Sequence, residues 1–422
     1  MRYQRPIGTQ DVTPEVAPEW RFVEESFRQL AARYGYGELR TPVFEDTDLF
    51  LRSVGQETDI ASKEMYTFED RGGRSMTLRA EGTAPAVRAY LENHLDRTDK
   101  QRLVKLYYIV PIFRYDRPQA GRYRQHHQLG LEAIGSSEPA VDAEVISLAW
   151  NFYAQMGLTG LSLLINSVGC PACAPPYVDK LKQALAPALP QLCESCRRRY
   201  VENPLRMLDC KICHDYMAPA PKLIEELCEE CESHLGGVLA ALDALGIPHE
   251  IDHTIVRGLD YYTKTAFEFQ IEGIGAQSAL GGGGRYDGLV EKCGGPPTPG
   301  VGLGIGLERV LLARQQLGQA VTGTAGFPAR EGVFIVALGE AVWIEALKLL
   351  QELRRAGVKA ELDYRRRSMK AQLRFADNEQ FAQAIILGED ELAKGIVGLK
   401  DLATGEQVEV GRTDLSSRLG PA

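Results

Sequence analysis

Arg114, Gln128 and Glu132 are the first side chains in this sequence whose types and spacing could do joint chemistry. Arg114 closes KLYYIVPIFRY (105–115), a segment rich in β-branched and aromatic residues. Gln128 and Glu132 lie four residues apart in HHQLGLEAIG, so on a strand of period two they share a face. On neighbouring antiparallel strands, an arginine and a glutamate can hold the anionic and cationic parts of one substrate. Taken alone, such a set more often makes a solvated cross-strand ion pair. The intervening RPQAGRYRQ carries Arg117, Arg122 and Arg124 against the single acid Asp116, with Gln119 and Tyr123 among them. Planar guanidinium forks reach phosphates and an aromatic ring stacks on a base, although a bland basic loop has the same composition.

The run GVGLGIGLERVLLARQQLG (300–318) places glycines at period two and then turns amphipathic, which predicts a glycine-rich strand passing into a helix. A dinucleotide fingerprint needs its glycines to open the helix, and these alternate along the strand. Alternate glycines strip one strand face of side chains, so a flat group can lie there, with Arg309 beside it. Gly281 to Gly284 read either as a flexible turn or as a place of close backbone approach to a ligand.

Eight of the nine cysteines form four Cys-x-x-Cys pairs within residues 170–231. In a reducing compartment that spacing reads as metal ligation. Cys170/Cys173 and Cys193/Cys196 are 19 residues apart, within the range of a tetrahedral zinc site, and Cys210/Cys213 precede Cys228/Cys231 by 14. Three outcomes are open: one structural zinc on Cys170, Cys173, Cys193 and Cys196, two zincs, or metal-free thiols. Cys170/Cys173 could also join Cys210/Cys213 if the segment folds back.

The elements that position these groups follow from periodicity. Residues 18–35 predict an amphipathic helix burying Trp20, Phe22, Val23, Phe27, Leu30 and Ala31 and ended by Gly35, with a strand at 37–44. Residues 160–235, containing the cysteines and the basic CRRRY, predict short helices and loops; TAFEFQIEG (265–273) resumes strand character. GTAGFPAR (323–330) predicts a linker. Beyond it, VFIVALG, ALKLLQELRRAG, KAELDY and AIILG predict a small α/β domain with a parallel or mixed sheet.

A chain of 422 residues is too long for one core and implies two or three domains. Its 44% hydrophobic and 25% charged residues exclude disorder, and a net charge of −9 argues against a general nucleic-acid coat while allowing a local basic groove. No apolar stretch has the length of a signal peptide's core or a membrane span, so a cytoplasmic location without membrane attachment is expected.

Jointly these segments resemble a known family. FRYDRPQAGRYRQHHQLGLEAIG is similar to motif 2 of the class II aminoacyl-tRNA synthetases, GVGLGIGLERVLL to motif 3, and YGYGELRTPVFEDTDLF to motif 1. VRGLDYYTKTAFEF (256–269) and ALGGGGRYDGLV (279–290) resemble the two signature peptides of the histidyl-tRNA synthetases. TLRAEGTAPAVRAY (77–90) and DYRRRSMKAQLRFAD (363–377) also match. The resemblance implies an α+β catalytic domain on an antiparallel sheet over 1–325, interrupted by a cysteine-rich insertion at 168–235, and an α/β anticodon-binding domain over 331–422. It implies activation of histidine by ATP with Mg²⁺, transfer to tRNA(His), and a homodimer formed through motif 1. Arg114 would hold the α-phosphate and carboxylate, Arg257 the α-phosphate and Arg309 the γ-phosphate. Glu81, Thr83 and Gln128 would take the α-amino end of histidine, with Glu132 and Tyr262 flanking its ring nitrogens. Gln119, Arg122 and Arg124 would meet the acceptor stem, Gln119 reading an extra 5′ guanosine. Arg365, Arg366, Arg367, Lys370 and Arg374, a run without interspersed acids, would form a second basic cluster. The runner-up is a non-catalytic relative such as the regulatory subunit of ATP phosphoribosyltransferase, which generally lacks the anticodon domain and has eroded motif arginines.

Overall fold

Strand Val104–Phe113 pairs antiparallel with Gln125–Ile134 through ten residues, from Val104 opposite Ile134 to Phe113 opposite Gln125, and this pair nucleates a large sheet. The computed structural model describes residues 3–55, 58, 60–95, 103–210, 212–273, 278–319 and 330–419. The linker expected at 323–330 lies, apart from Arg330, outside the described residues. The chain divides into two compact units, Met1–Ala320 and Val321–Ala422.

In the first unit an eight-stranded sheet runs in the order Gly37–Glu38, Val104–Phe113, Gln125–Ile134, Gly300–Gly306, Ala279–Arg285, Thr263–Ile271, Leu161–Ser167, Glu250–Ile251. Its interior pairs are antiparallel, and only the short strands at the two edges pair parallel. One face is apolar. Leu129, Leu131 and Ala133 stand opposite Ile305, Leu303 and Val301, and with Phe267 and Phe269 they pack against helices Ala17–Arg33, Pro139–Gln155 and Glu229–Ala244. Each of these leucine, isoleucine, valine and phenylalanine side chains contributes roughly 1.5–3 kcal/mol on burial, so the helices hold this face firmly. Arg285, fully buried, donates to Asp142 Oδ2 at 2.5 Å and to the Ser136 carbonyl at 2.9 Å, tying a strand of the sheet to the Pro139–Gln155 helix and the turn before it.

The first helix spans Ala17–Arg33, and Gly35 follows with a positive φ of 79°. Phe22 is the exception to its predicted inward face: it is 41% exposed and carries the Arg314 guanidinium over its ring. The strand expected at 37–44 breaks into Gly37–Glu38 and Phe44–Asp46. Pro42 lacks a ladder donor, and the Thr41 and Pro42 carbonyls accept from the Arg79 guanidinium instead of a strand neighbour. Gly281 to Gly284 lie inside strand Ala279–Arg285, so the flexible-turn reading gives way to a strand.

The cysteine-bearing segment consists of helices Ala174–Leu185 and Glu194–Glu202 and short 3₁₀ turns, with no strand among the described residues. Helix Glu229–Ala244 begins at its last cysteine pair and enters the main core through Leu235, Val238 and Leu242.

The second unit holds a five-stranded mixed sheet in the order Ala360–Leu362, Val333–Ala337, Gln383–Leu387, Ile396–Asp401, Gln407–Gly411. The first two pairings are parallel and the last two antiparallel. No helix among the described residues is long and apolar enough to cross a membrane.

Candidate active site

The sheet face opposite the helices is a cavity floor. Gly302 stands opposite Gly284 and Gly304 opposite Gly282, so two pairs of glycines lie side by side and add no side chains of their own to this face. Long side chains from neighbouring segments occupy the vacated space. A Cβ on Gly302 would meet the Glu132 carboxylate, and one on Gly304 the Gln128 amide at 2.6 Å; one on Gly282 would meet the Arg257 guanidinium at 2.8 Å, and one on Gly284 the Tyr262 ring at 2.9 Å. The glycine spacing therefore makes two slots in series, one bounded by Glu132 and Tyr262, the next by Gln128 and Arg257. Both open on a cavity of about 320 Å³ whose lining includes Glu81, Thr83, Arg114, Arg122, Gln128, Arg257, Tyr262 and Arg309. That size suits a small ligand.

Glu132 is fully buried. Tyr108 donates its hydroxyl to Oε1 at 2.9 Å and Tyr286 to Oε2 at 2.6 Å. Burial pushes its carboxyl up to about 8, against the opposing hydrogen bonds of Tyr286, Thr83 and Tyr108. Gln128 Nε2 donates to the Tyr108 hydroxyl at 3.3 Å, so one tyrosine links Gln128 and Glu132. Glu81 accepts from the backbone amides of Thr83 at 2.7 Å and Ala84 at 2.6 Å. It thereby caps the helix Thr83–Glu92 while lining the cavity, and burial raises its pKa despite those amides.

Three arginines converge here. Arg114 donates Nε to the Ala80 carbonyl at 2.6 Å, and Arg309 donates to the Gly121 and Ala279 carbonyls at 3.1 and 2.6 Å. Arg257 pairs with Glu268; burial works against its charge, but Glu268 outweighs that and its pKa rises. Burial lowers the pKa of Arg309, and the neighbouring cations Arg122, Arg114 and Arg257 add to the effect, while Glu268 opposes it. His126 is kept neutral by the same field: burial, then Arg114 and Arg309, hold it at about 3. Arg114, Arg257 and Arg309 brought together in one partly desolvated cavity make a site suited to a polyanion.

The basic loop is less open than its composition implied. Gln119 and Arg122 exchange backbone hydrogen bonds at 3.1 and 2.9 Å around Gly121, and Arg122 pairs with Asp116. Arg124 stacks over the Tyr115 ring at 4.0 Å and donates to the Asp116 carbonyl, so it braces the loop; Gln119 is exposed at its tip. A second cavity of about 210 Å³ shares Arg114 and Arg122 with the first and adds Arg198, Arg199 and Arg206 from the insertion. CRRRY thus faces the same region as the loop.

Sequence reasoning missed Tyr108, Tyr286 and Glu268. Tyr286 lies within the quoted GGGGRYDG, but its partner Glu132 is 154 residues away, and only register brings them together.

The expected metal set does not form. Cys170 and Cys173 cluster with Cys228 and Cys231, and Cys193 and Cys196 with Cys210 and Cys213. Neither the set that spacing favours, Cys170, Cys173, Cys193 and Cys196, nor the fold-back alternative of Cys170/Cys173 with Cys210/Cys213 is the one formed. The insertion leaves the body after strand Leu161–Ser167 and rejoins it at helix Glu229–Ala244, so its first and last pairs meet at the root and the middle pairs meet beyond. In the second unit, Arg366 pairs with the distant Glu340 at 3.0 Å, and Arg367 with Asp363, four residues before it, at 3.1 Å, so the run is less free than its composition implied. Arg365, Lys370 and Arg374 are exposed.

Residues 8–310 match the histidyl-tRNA synthetase family, and residues 332–420 match the anticodon binding domain. The chain is 53% identical over 408 residues to the histidine–tRNA ligase of Pelotomaculum thermopropionicum, covering 96% of this chain and 95% of that one. It is similar to the apo histidyl-tRNA synthetase structure from S. aureus at a TM-score of 0.82 and 38% identity, over 99% of both chains. It shares its fold, at 20% identity and a TM-score of 0.64 over 92% of this chain and 99% of the other, with a Bacillus halodurans structure described as an ATP phosphoribosyltransferase regulatory subunit/histidyl-tRNA synthetase.

Proposed function

The chain belongs to the histidyl-tRNA synthetase family, and on that premise we propose that its two glycine-floored slots hold histidine and the reacting end of ATP side by side. The enzyme is an aminoacyl-tRNA ligase: it joins histidine to ATP as histidyl-adenylate with release of pyrophosphate, then passes the histidyl group to the 3′ end of tRNA. The observation that carries the residue assignment is the pairing of Gly302 with Gly284 and of Gly304 with Gly282. An imidazole fits the first slot, one ring nitrogen toward Glu132 and the other toward Tyr262. Glu81, Thr83 and Gln128 take the α-ammonium. A substrate of similar size without ring nitrogens leaves those buried groups unpaired, which discriminates more strongly than packing does.

In the second slot the histidine carboxylate meets the α-phosphate, and two anions must approach. Arg114 and Arg257 flank that point and stabilise the charge that develops there; Arg309 holds the γ-phosphate. Magnesium bound with ATP would neutralise charge on the outer phosphates, and Glu268 and Glu308, carboxylates lining the cavity, are oxygen donors suited to face it. No protein nucleophile is required.

Gln119, at the exposed loop tip, with Arg122 and Arg124, meets the tRNA acceptor stem, and the second unit reads the anticodon. The protein acts in the cytoplasm as a homodimer. Val43, Phe44 and Phe68, each 43–49% exposed, give the motif 1 region an apolar surface for a second copy. The regulatory-subunit alternative is disfavoured, because Arg114, Arg257 and Arg309 all line the cavity and an anticodon-binding domain is present.

Exchange of pyrophosphate into ATP should require histidine and no other amino acid. Absence of exchange with histidine overturns the substrate assignment. A fragment ending near residue 319 should keep exchange and lose most tRNA aminoacylation; a soluble fragment that charges tRNA normally contradicts the division of labour.

A further inference from the structure

The eight clustered cysteines are separate from the cavity chemistry, and all are free thiols. In the root cluster Cys170 Sγ lies 3.8 Å from Cys173 Sγ and 3.7 Å from Cys228 Sγ, and Cys173 Sγ lies 3.8 Å from Cys231 Sγ. In the outer cluster Cys193 Sγ lies 3.9 Å from Cys210 Sγ. All ligand atoms of each cluster fall within 4.8 Å of one another. A disulfide needs sulfurs about 2.0 Å apart, so these spacings are far too long for one. Four sulfurs each about 2.3 Å from a central zinc stand, by tetrahedral geometry, about 3.8 Å from one another.

The backbone around both clusters also suits thiolate ligands. Amide hydrogens point at sulfur from Cys170 to Cys173 at 3.3 Å, from Cys193 to Cys213 at 3.2 Å and from Cys196 to Cys193 at 3.4 Å. Cys173 and Cys228 stand at the N-caps of helices Ala174–Leu185 and Glu229–Ala244, and Cys193 at that of Glu194–Glu202, where helix dipoles favour negative charge. The segment has little else to hold it. Its core is one small cluster that itself includes Cys196, Cys210 and Cys213, and among the described residues it contains only short helices and turns. Segments of that kind gain most from a metal cross-link.

We propose that the insertion binds two structural zinc ions in nested tetrathiolate sites. Cys170, Cys173, Cys228 and Cys231 close its root, and Cys193, Cys196, Cys210 and Cys213 hold its head. Each site loads by exchanging four thiol protons for one Zn²⁺, leaving a net charge of −2 and no vacant coordination position for catalysis. The all-sulfur tetrahedral set selects zinc, or iron as its usual competitor.

Metal analysis of the full-length protein, purified under reducing conditions without chelator, should give two zinc per chain. Cys170→Ser and Cys193→Ser should each leave one, and the double variant none, because the two substitutions empty different sites. Cobalt(II) loaded in place of zinc should show the visible bands of tetrahedral thiolate ligation, at half intensity in each single variant. Should a variant fail to fold, the wild-type count and the cobalt spectrum decide alone. Fewer than about half an equivalent of zinc in the wild type, iron in its place, or a mass deficit from disulfides overturns the proposal. So does a double variant that retains as much zinc as either single one, because that places both cysteines on one ion.

Discussion

The two sheets of this chain solve opposite problems. In the second unit alternate residues of one strand enter two different cores: Val333 and Ile335 join Ile385 and Leu387 on one side, and Phe334 and Val336 join Ala384 and Ile386 on the other. Both faces are filled, so no ligand can lie on that sheet, and its cations sit at the rim. In the first unit only one face is filled. The other is paved with glycine, and the room this leaves is taken by Glu132, Gln128, Arg257 and Tyr262. A sheet buried on both faces yields stability and a peripheral, diffuse charge pattern; a sheet stripped on one face yields fixed, desolvated polar groups at set spacing. Substitutions in the first unit's sheet should therefore change chemistry, and those in the second unit should change affinity for a large charged partner.

The sharpest test of that contrast is Arg257. In the proposed role, the Arg257 guanidinium, held over the glycine floor by Glu268, would act on charge that appears only as the phosphorus is attacked. Arg257→His should lower the rate of adenylate formation by about 10²–10³-fold, the range for losing one such preorganised donor, and change histidine affinity only a few-fold. Single-turnover kinetics separate the two, and near-normal adenylate formation would remove Arg257 from the chemistry.

Glycine itself is the next comparison. Gly302→Ala drives a methyl group into the Glu132 carboxylate, which is held on both oxygens by tyrosines and cannot retreat. Overpacking of about 1–3 kcal/mol at that point should raise the histidine KM by roughly 10–100-fold. A Cβ on Gly398, in the second sheet, would crowd the end of the Gln407 side chain at 2.9 Å, which can swing away, and would meet Ile386 Cβ at an ordinary contact distance of 3.5 Å. Gly398→Ala should leave histidine-dependent exchange within about twofold of wild type, since overpacking relieved by a mobile side chain costs little. Equal effects at the two glycines would contradict the contrast.

A smaller effect is expected from proton linkage at Glu132. Its carboxyl ordinarily titrates at 4.5 and in the fold at about 8, so between those values the native state holds a proton that the unfolded chain has released. Stability from this group is complete below pH 4.5, falls as pH rises through the window and is gone above about 8. Glu132→Gln should flatten the decline in the melting temperature of the ligand-free protein between pH 5 and 8, while raising the histidine requirement. An unchanged slope would mean that the group titrates normally.

Much of this site can be read along the chain because strand periodicity is local. Gln128 and Glu132 share a face by counting alone, and the alternating glycines mark a bare strand face. Local rules fail where partners come from elsewhere. Tyr108 and Tyr286 fix Glu132 only through strand register, and Pro42 shortens a strand that side-chain pattern would continue. The cysteine partition depends on where the insertion leaves and rejoins the body, which no spacing encodes. Arg366 looks unopposed until folding brings Glu340 against it, whereas the partner of Arg367, Asp363, stands four residues before it in the chain.

That last point sets the smallest prediction. Arg366 is paired with Glu340 and lies over the Trp343 ring at 4.7 Å, and Arg367 is paired with Asp363 and lies over Phe375 at 4.6 Å, so both are committed to their own domain. Lys370 and Arg374 project from helix Met369–Asn378 into solvent and are one turn apart, so they present adjacent charges on one face. If that face meets tRNA phosphates, each contributes by releasing condensed counterions. Lys370→Ala and Arg374→Ala should each raise the tRNA KM only a few-fold and reduce the slope of log affinity against log salt by about one, with pyrophosphate exchange untouched. Arg367→Ala should instead lower the melting temperature and leave the salt slope alone. A salt slope that responds to Arg367 and ignores Lys370 and Arg374 would move the contact surface off this helix.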